Sequence, residues 1–278
     1  MVIAIDDVYG GTYRLFKKVF EKFGIIFKQI NFNDFKEVEN NLKQQPKMIL
    51  LESPTNPLLK IVDIKKIASL AKKYRVLTIV DNTFASPYFQ QPLTLGADIV
   101  LHSSTKYLGG HSDLIGGAII TNNKDFADKM YFARKALGLN PSPFDTWLIS
   151  RSLKTLGIRM EKHQENAFEI VKFLRRHPKV KKVYYPGFSG IVSVEFRLSL
   201  IKMKKLISSF KIFSLAESLG GVESLVDHPA SMTHASIPKK ERERTGLFDG
   251  LVRFSTGLED KTDLIDDLKF ALNTYSKD

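Results

Sequence analysis

Cysteine is absent from all 278 residues, which excludes disulfides, thiolate catalysis and cysteine-ligated zinc. Tryptophan occurs once, and no apolar run approaches the ~20 residues that a membrane-spanning helix needs. The N-terminus, Met1-Val-Ile-Ala-Ile-Asp6, has no basic stretch before an apolar core and no small-residue cleavage site, so it does not read as a signal peptide. Nothing favours an oxidising or membrane setting, and the cytoplasm is the expected compartment. Positive charge is in excess, at +12. The lysines fall in pairs such as Lys17-Lys18, Lys65-Lys66 and Lys72-Lys73, the pattern of solvated helix faces. No aromatic residues are interleaved with them for base stacking. Neither nucleic acid nor a membrane is therefore an expected partner.

The first half alternates short apolar runs with amphipathic ones. Val2 to Ile5, Lys47 to Glu52, Arg75 to Val80, Ala97 to Leu101 and Gly116 to Ile120 read as strands. Leu15, Phe16, Val19, Phe20 and Phe23 recur at helical spacing. Asp63 is placed to cap a helix whose buried face is Ile64, Ile67, Ala68 and Ala71. Strands buried on both faces and separated by helices predict an α/β unit, with a mostly parallel sheet flanked by helices. Ser142 and Pro143 open a helix, and a second runs from about Arg159 to Arg175 along Met160, His163, Ala167, Val171 and Leu174. Beyond it, Val180 to Tyr185, Ile191 to Phe196 and Leu251 to Ser255 read as strands. Ile201 to Phe210 and Thr262 to Asn273 read as helices. The predicted division is an α/β unit at 1–158 and a smaller α+β unit with an antiparallel sheet at 159–278.

Open α/β sheets bind ligands beyond the carboxyl ends of their strands. Those ends carry Asp6-Asp7-Val8-Tyr9, then Glu52-Ser-Pro-Thr-Asn56, then Asp81-Asn-Thr83, then His102-Ser-Ser-Thr-Lys106. An amine, a carboxylate and several hydroxyls at one edge suit pyridoxal phosphate. That cofactor needs a lysine to hold it, an acid at its ring nitrogen and donors for its phosphate. Read from residues alone this stays open, since a strand-end aspartate often caps a helix and a lone lysine usually sits on the surface. Ser103-Ser-Thr-Lys106 also fits the S-x-x-K nucleophile motif. Its partner motifs fail, however, at Ser112-Asp-Leu114 and Lys154-Thr-Leu156. His102, His111 and Asp113 lack the i, i+4 spacing of helical metal ligands, so no metal is expected.

The run Asp81-Asn-Thr-Phe-Ala-Ser-Pro-Tyr88, followed by Gly96-Ala-Asp-Ile-Val-Leu-His-Ser-Ser-Thr-Lys-Tyr-Leu-Gly-Gly-His-Ser-Asp113, resembles the Cys/Met-metabolism pyridoxal-phosphate enzymes. So do Asp6-Asp-Val-Tyr-Gly-Gly-Thr12, Glu52-Ser-Pro-Thr-Asn-Pro57 and Arg253-Phe-Ser-Thr-Gly-Leu-Glu-Asp260. The resemblance spans nearly the whole chain. It implies an aminotransferase-like fold of type I and pyridoxal 5'-phosphate as cofactor. Lys106 would hold the cofactor covalently and shuttle protons. Asp81 would pair with the ring nitrogen, and Tyr9 would stack on the ring and assist acid–base steps. Ser103 and Thr105 would contact the phosphate, and Asn56 and Thr83 would orient the ring. Arg253 would grip the substrate's α-carboxylate, Ser224 would lie by the substrate, and Glu223 would face a distal ammonium.

The segments Glu217-Ser-Leu-Gly-Gly-Val-Glu-Ser-Leu225 and His228-Pro-Ala-Ser-Met-Thr-His-Ala235 resemble the γ-branch of the family. The implied activity is cystathionine γ-lyase, with cystathionine γ-synthase as the alternative. The implied partners are a small sulfur amino acid and further copies of the chain, as a dimer or tetramer. Family members carry a segment ahead of the Asp-Asp-Val-Tyr-Gly-Gly motif, with a Tyr-x-Arg pair that reaches a neighbour's phosphate. They also carry a longer loop near Tyr185-Pro-Gly-Phe-Ser-Gly190. The expectation drawn from both is an N-terminally incomplete copy that holds its cofactor poorly. From a different class comes a second reading, an inactive remnant.

Overall fold

The computed structural model describes residues 1–235 and 237–274. Six strands form the first sheet: β1 (Val2–Ile5), β2 (Phe27–Ile30), β3 (Met48–Glu52), β4 (Leu77–Asp81), β5 (Ile99–Ser103) and β6 (Gly117–Ile120). Their order is β2-β1-β3-β4-β5-β6; the first five run parallel, and β6 closes the edge antiparallel. Helices α1 (Gly10–Lys18), α2 (Phe35–Leu42), α3 (Ile64–Lys73), α4 (Ser86–Phe89), α5 (Lys124–Ala136) and α6 (Pro143–Leu153) belong to this half. The core beneath the sheet joins Ile3, Ile49 and Val80 to Val38 and Leu42 of α2 and to Ile64 and Ile67 of α3. Asp63 caps α3 through the Lys66 N–H, and Ser142 caps α6 through that of Asp145.

The second sheet has the order β7-β8-β11-β10-β9, from β7 (Val180–Tyr184), β8 (Ile191–Phe196), β9 (Ser214–Leu215), β10 (Leu225–Asp227) and β11 (Leu251–Ser255). It is antiparallel except for the short β9–β10 pair. Helices α7 (Leu156–Arg175), α8 (Leu200–Ile207) and α10 (Lys261–Thr274) pack on it, around Val194, Val252 and Phe254. Helix α9 (Lys239–Thr245) lies between β10 and β11 in the chain. The expected division at 158/159 falls in the first turn of α7. A cluster of Phe84, Tyr107, Leu156, Met160, Ile191 and Leu219 joins the two halves. Ser193 of β8 also donates to the Pro57 carbonyl at 2.6 Å.

Three expectations need correction. The stripe Leu15 to Phe23 is not one buried helix face. Helix α1 stops at Lys18, a tight turn over Phe20–Phe23 follows, and Phe23 is 77% exposed. β6 is an exposed antiparallel edge, because only β5 pairs with it. The sheet edge beyond β1 is β2, a strand that the periodicity did not mark. Among the described residues no helix is long and apolar enough to cross a membrane.

Burial holds His102, His163 and His234 at about 4, far below the ordinary imidazole value. A histidine depressed on folding binds its proton only after unfolding, so stability falls as pH drops from about 6.5 towards 4. Each is worth on the order of 3 kcal/mol over that window. Burial also raises Asp7 and Asp227 to about 6, and raised carboxyls act in the opposite sense between about 4 and 6. Burial raises Glu52 and Asp81 in the same sense as these two carboxyls, so the histidines and the carboxyls oppose each other between pH 7 and pH 5.

Candidate active site

The carboxyl ends of the parallel strands open into one cleft, lined from β1, β3, β4 and β5 and closed by residues of the second sheet. Lys106 stands at its centre. After β5 the chain makes a single wide turn, Ser104–Leu108, and Lys106 breaks its helical geometry with φ −94° and ψ −134°. Such wide turns recur at functional sites. The neighbouring residue is held hard. Tyr107 accepts from Arg159 through its carbonyl (2.8 Å), and its hydroxyl meets Ser189 and the Gly190 N–H. Lys106 Nζ donates to Ser218 Oγ at 2.8 Å. Burial, and next the Arg253 charge, lower its pKa, which favours the free amine.

Asp81 ends β4, in register with Glu52 at the end of β3. Burial raises the Asp81 carboxyl, while hydrogen bonds from Thr83 pull it down; the Thr83 N–H donates at 2.9 Å. The Thr83 hydroxyl in turn accepts from the Ser103 N–H at 2.9 Å, tying the β4 and β5 ends together. Burial, and then Asp81, push Glu52 well above the usual carboxylate range. Glu52 accepts the Tyr9 N–H at 2.9 Å and so fixes the start of α1. Tyr9 lies half exposed at the mouth of the cleft. Gly10 behind it is obligatory, because a Cβ there would stand 2.3 Å from the Thr233 carbonyl oxygen. Thr105 Oγ1 accepts from the Gly116 N–H at 3.0 Å, and Ser103 and Thr105 share one wall.

Arg253 projects from β11 and is 1% exposed. Its Nη1 donates to Asn56 Oδ1 at 2.8 Å. Its Nη2 donates to Asp227 and to the Glu217 and Ser218 carbonyls. Its Nε is buried with no partner among the described residues. A buried guanidinium with an unused donor beside a cleft is ready to take a carboxylate.

Eight of the expected residues thus share the cleft: Tyr9, Asn56, Asp81, Thr83, Ser103, Thr105, Lys106 and Arg253. Two do not. Ser224 is fully buried elsewhere; its N–H and hydroxyl both donate to Glu259, and the hydroxyl accepts from the Gly257 N–H. Glu223 turns to the Ser112 hydroxyl. The cleft instead holds Glu217 and, on Lys106, Ser218. The tripeptide Glu-Ser-Leu occurs twice, at 217–219 and 223–225, and it is the first copy, not the second, that reaches the cleft. The two glycines after the first copy carried the missing signal. Gly220 has φ +74°, and a Cβ there would stand 2.8 Å from the Tyr107 nitrogen. That close approach presses the first copy against the lysine turn. Glu52 was also missed, although its place at a strand end opposite Asp81 marks it.

The side chains fit pyridoxal phosphate. Lys106 offers an amine biased toward its neutral form, and Asp81 an acid facing the same space. Ser103 and Thr105 offer hydroxyls, and Arg253 an unused donor for the α-carboxylate of an amino acid.

Comparison with known proteins gives the same answer. The family described as Cys/Met metabolism PLP-dependent enzyme matches residues 1–273. A cystathionine beta-lyase of Coxiella burnetii is 48% identical, over 98% of this chain and 75% of its own. That alignment runs over 289 positions, more than this chain's 278 residues, so the relative carries insertions within it. The solved cystathionine gamma-lyase of Lactobacillus plantarum, complexed with L-serine, superposes with a TM-score of 0.96 at 41% identity, over 100% of this chain and 77% of its own. The cystathionine gamma synthase of Xanthomonas oryzae pv. oryzae, in complex with cystathionine, gives 0.95 at 41%, over 99% and 75%. Three different reactions stand among these names, so similarity fixes the family and the cofactor but not the bond that is cut. A lysine turn, a strand-end acid and a buried arginine converge on one cleft, within a match that runs almost from end to end. On these grounds the chain belongs to the Cys/Met-metabolism PLP-dependent enzymes.

Proposed function

We propose that this enzyme is a cystathionine γ-lyase, releasing cysteine, 2-oxobutanoate and ammonia, and that it works as a cytoplasmic homo-oligomer. The observation that carries the reading is the pairing of Arg253 and Glu217 around Lys106 in one cleft. Cystathionine carries an α-amino-acid group at each end, so that Arg253 complements the proximal α-carboxylate and Glu217 the distal ammonium. Arg253 holds the carboxylate. Lys106 Nζ, with a lowered pKa and a contact to Ser218 Oγ, moves protons at the α- and β-carbons. Tyr9 at the mouth supplies a hydroxyl near the departing sulfur. Pyridoxal phosphate, when bound, supplies the electron sink for the carbanions. The γ-choice leans on the Met232-Thr-His234 segment, which packs behind the cleft residues Tyr9 and Asn56. His234 Nε2 lies 3.2 Å from the Asn56 carbonyl oxygen, and the Thr233 carbonyl backs Gly10.

Product analysis tests the reading. Cystathionine should yield 2-oxobutanoate and cysteine. Pyruvate with homocysteine would mean β-elimination. Faster synthesis from an activated homoserine than cleavage would mean a γ-synthase, and a loaded protein with no product would mean a remnant.

Glu217→Gln should weaken cystathionine more than a thioether substrate without the distal ammonium. A charge-assisted contact is worth about 1.5–3 kcal/mol, or roughly 10- to 150-fold in kcat/KM. Glu223→Gln should leave this ratio unchanged, since Glu223 faces Ser112. A larger effect at Glu223 would reverse the assignment.

Helix α5 supports the oligomer. None of its 13 residues is buried, and Phe132 is 73% exposed. So short a helix is marginal in water without a covering partner. Sedimentation of a pure monomer at micromolar concentration would count against it.

A further inference from the structure

Arg253 can serve the cleft only if its guanidinium is held in place, and what holds it lies outside the cleft. Asp227 on β10 is the direct cross-strand partner of Arg253 on β11. On an antiparallel pair this sets the two Cβ atoms about 4.5–5.5 Å apart on one face. Both residues are 1% exposed. Asp227 Oδ2 accepts from Arg253 Nη2, the same nitrogen that meets the Glu217 and Ser218 carbonyls. Asp227 Oδ1 and Arg253 Nε are both buried without partners among the described residues. The pair is therefore satisfied on one edge and open on another. A buried pair with spare donor capacity is a poor stabilising device but a good template for a third group.

We propose that Asp227 is the positioning residue of the carboxylate grip: it fixes the Nη2 edge of Arg253 against β10 and leaves the remaining N–H groups to the cleft. This rests on the reading of Arg253 as the residue that holds the substrate's α-carboxylate. Two effects of Asp227 oppose each other. Its charge offsets that of Arg253, which weakens the pull on an incoming carboxylate. Its geometry keeps a long, rotamer-rich side chain in one orientation, which strengthens it. Geometry dominates, because Glu217 offers a competing carboxylate on the very residue whose carbonyl already bonds Nη2. An unheld guanidinium that swung to Glu217 would remove both recognition groups from the cleft at once.

The test compares glycine, which has an α-carboxylate, with ethylamine, which has none. Each is titrated into the cofactor-loaded protein and followed by the change in cofactor absorbance. Arg253→Ala should abolish the preference for glycine; if the preference survives, the reading of Arg253 fails, and the proposal with it. With that reading intact, Asp227→Ala, which removes the acceptor that holds Nη2, should weaken glycine at least about tenfold and leave ethylamine and cofactor within about twofold, the scale expected of a misplaced binding group. Unchanged or tighter glycine binding in Asp227→Ala overturns the proposal and leaves the reading of Arg253 standing. So does equal weakening of both ligands. Asp227→Ser repeats the comparison if the Ala variant does not fold. Failure of both to fold, beside a folded Arg253→Ala, would make Asp227 a residue of the fold alone and equally overturn the proposal.

Discussion

Lys106→Ala should end covalent capture of the cofactor and lower turnover by roughly 10³-fold or more, the upper range for loss of a positioned acid–base group. No other lysine lines the cleft. Among the side-chain hydrogen bonds, the change removes only the contact from Nζ to Ser218 Oγ, so the fold should persist. The turn around it is held by backbone and by Tyr107, through Arg159, Ser189 and Gly190. Non-covalent binding of pyridoxal phosphate through Asp81, Ser103 and Thr105 should survive. The checks are the visible spectrum and single-turnover release of 2-oxobutanoate. Undiminished turnover in Lys106→Ala would remove Lys106 from the chemistry.

Asp81→Asn should keep the cofactor bound and still lose most of the activity. A carboxylate about 4 Å from a protonated ring nitrogen, at an effective dielectric near 20, is worth roughly 4 kcal/mol. That is close to a thousandfold in rate. The amide can still accept from the Thr83 N–H, so the turn at the end of β4 should hold. The pH profile gives a second readout. Burial raises the Asp81 carboxyl, so its charge is lost at a higher pH than for an ordinary aspartate. Activity should therefore fall as pH drops through that raised value, and the part of the acid limb due to Asp81 should be missing in Asp81→Asn. Near-normal turnover in the variant would sink the ring-nitrogen role.

The parts of this fold visible in the sequence are those where one local rule acts without competition. Helix α3 is an example: Asp63 caps it, and Ile64, Ile67, Ala68 and Ala71 bury one face. Strands β1, β3, β4 and β5 read as apolar runs because both of their faces are covered. Strand β2 escaped because Phe27–Ile30 sets two polar residues between two apolar ones and does not alternate, and α2 because its eight residues carry only Phe35, Val38 and Leu42 on the apolar face. Helix α5 has no buried face to announce it. Strand β10 is three residues long, and its pairing with β11 is a long-range fact.

The site divides in the same way. Lys106, Asp81, Thr83 and Tyr9 stand at strand ends, where topology alone brings them together. Arg253 and Glu217 reach the cleft from the other sheet, and no spacing rule connects them to it. The choice between two copies of Glu-Ser-Leu needed the positive φ and close approach of Gly220. That signal is written in the sequence as a double glycine but becomes legible only against the lysine turn. Asp227 had no local signal at all, because its meaning lies in the residue across the strand.

The most direct measurement is to incubate the purified chain with excess pyridoxal phosphate, reduce with borohydride and map the labelled peptide. Excess cofactor makes the result independent of how tightly the phosphate is held. The label should fall on Lys106, with a visible absorbance band before reduction that is missing in Lys106→Ala. Label on another lysine, or an unaltered band in Lys106→Ala, would contradict the assignment of this cleft as the cofactor site.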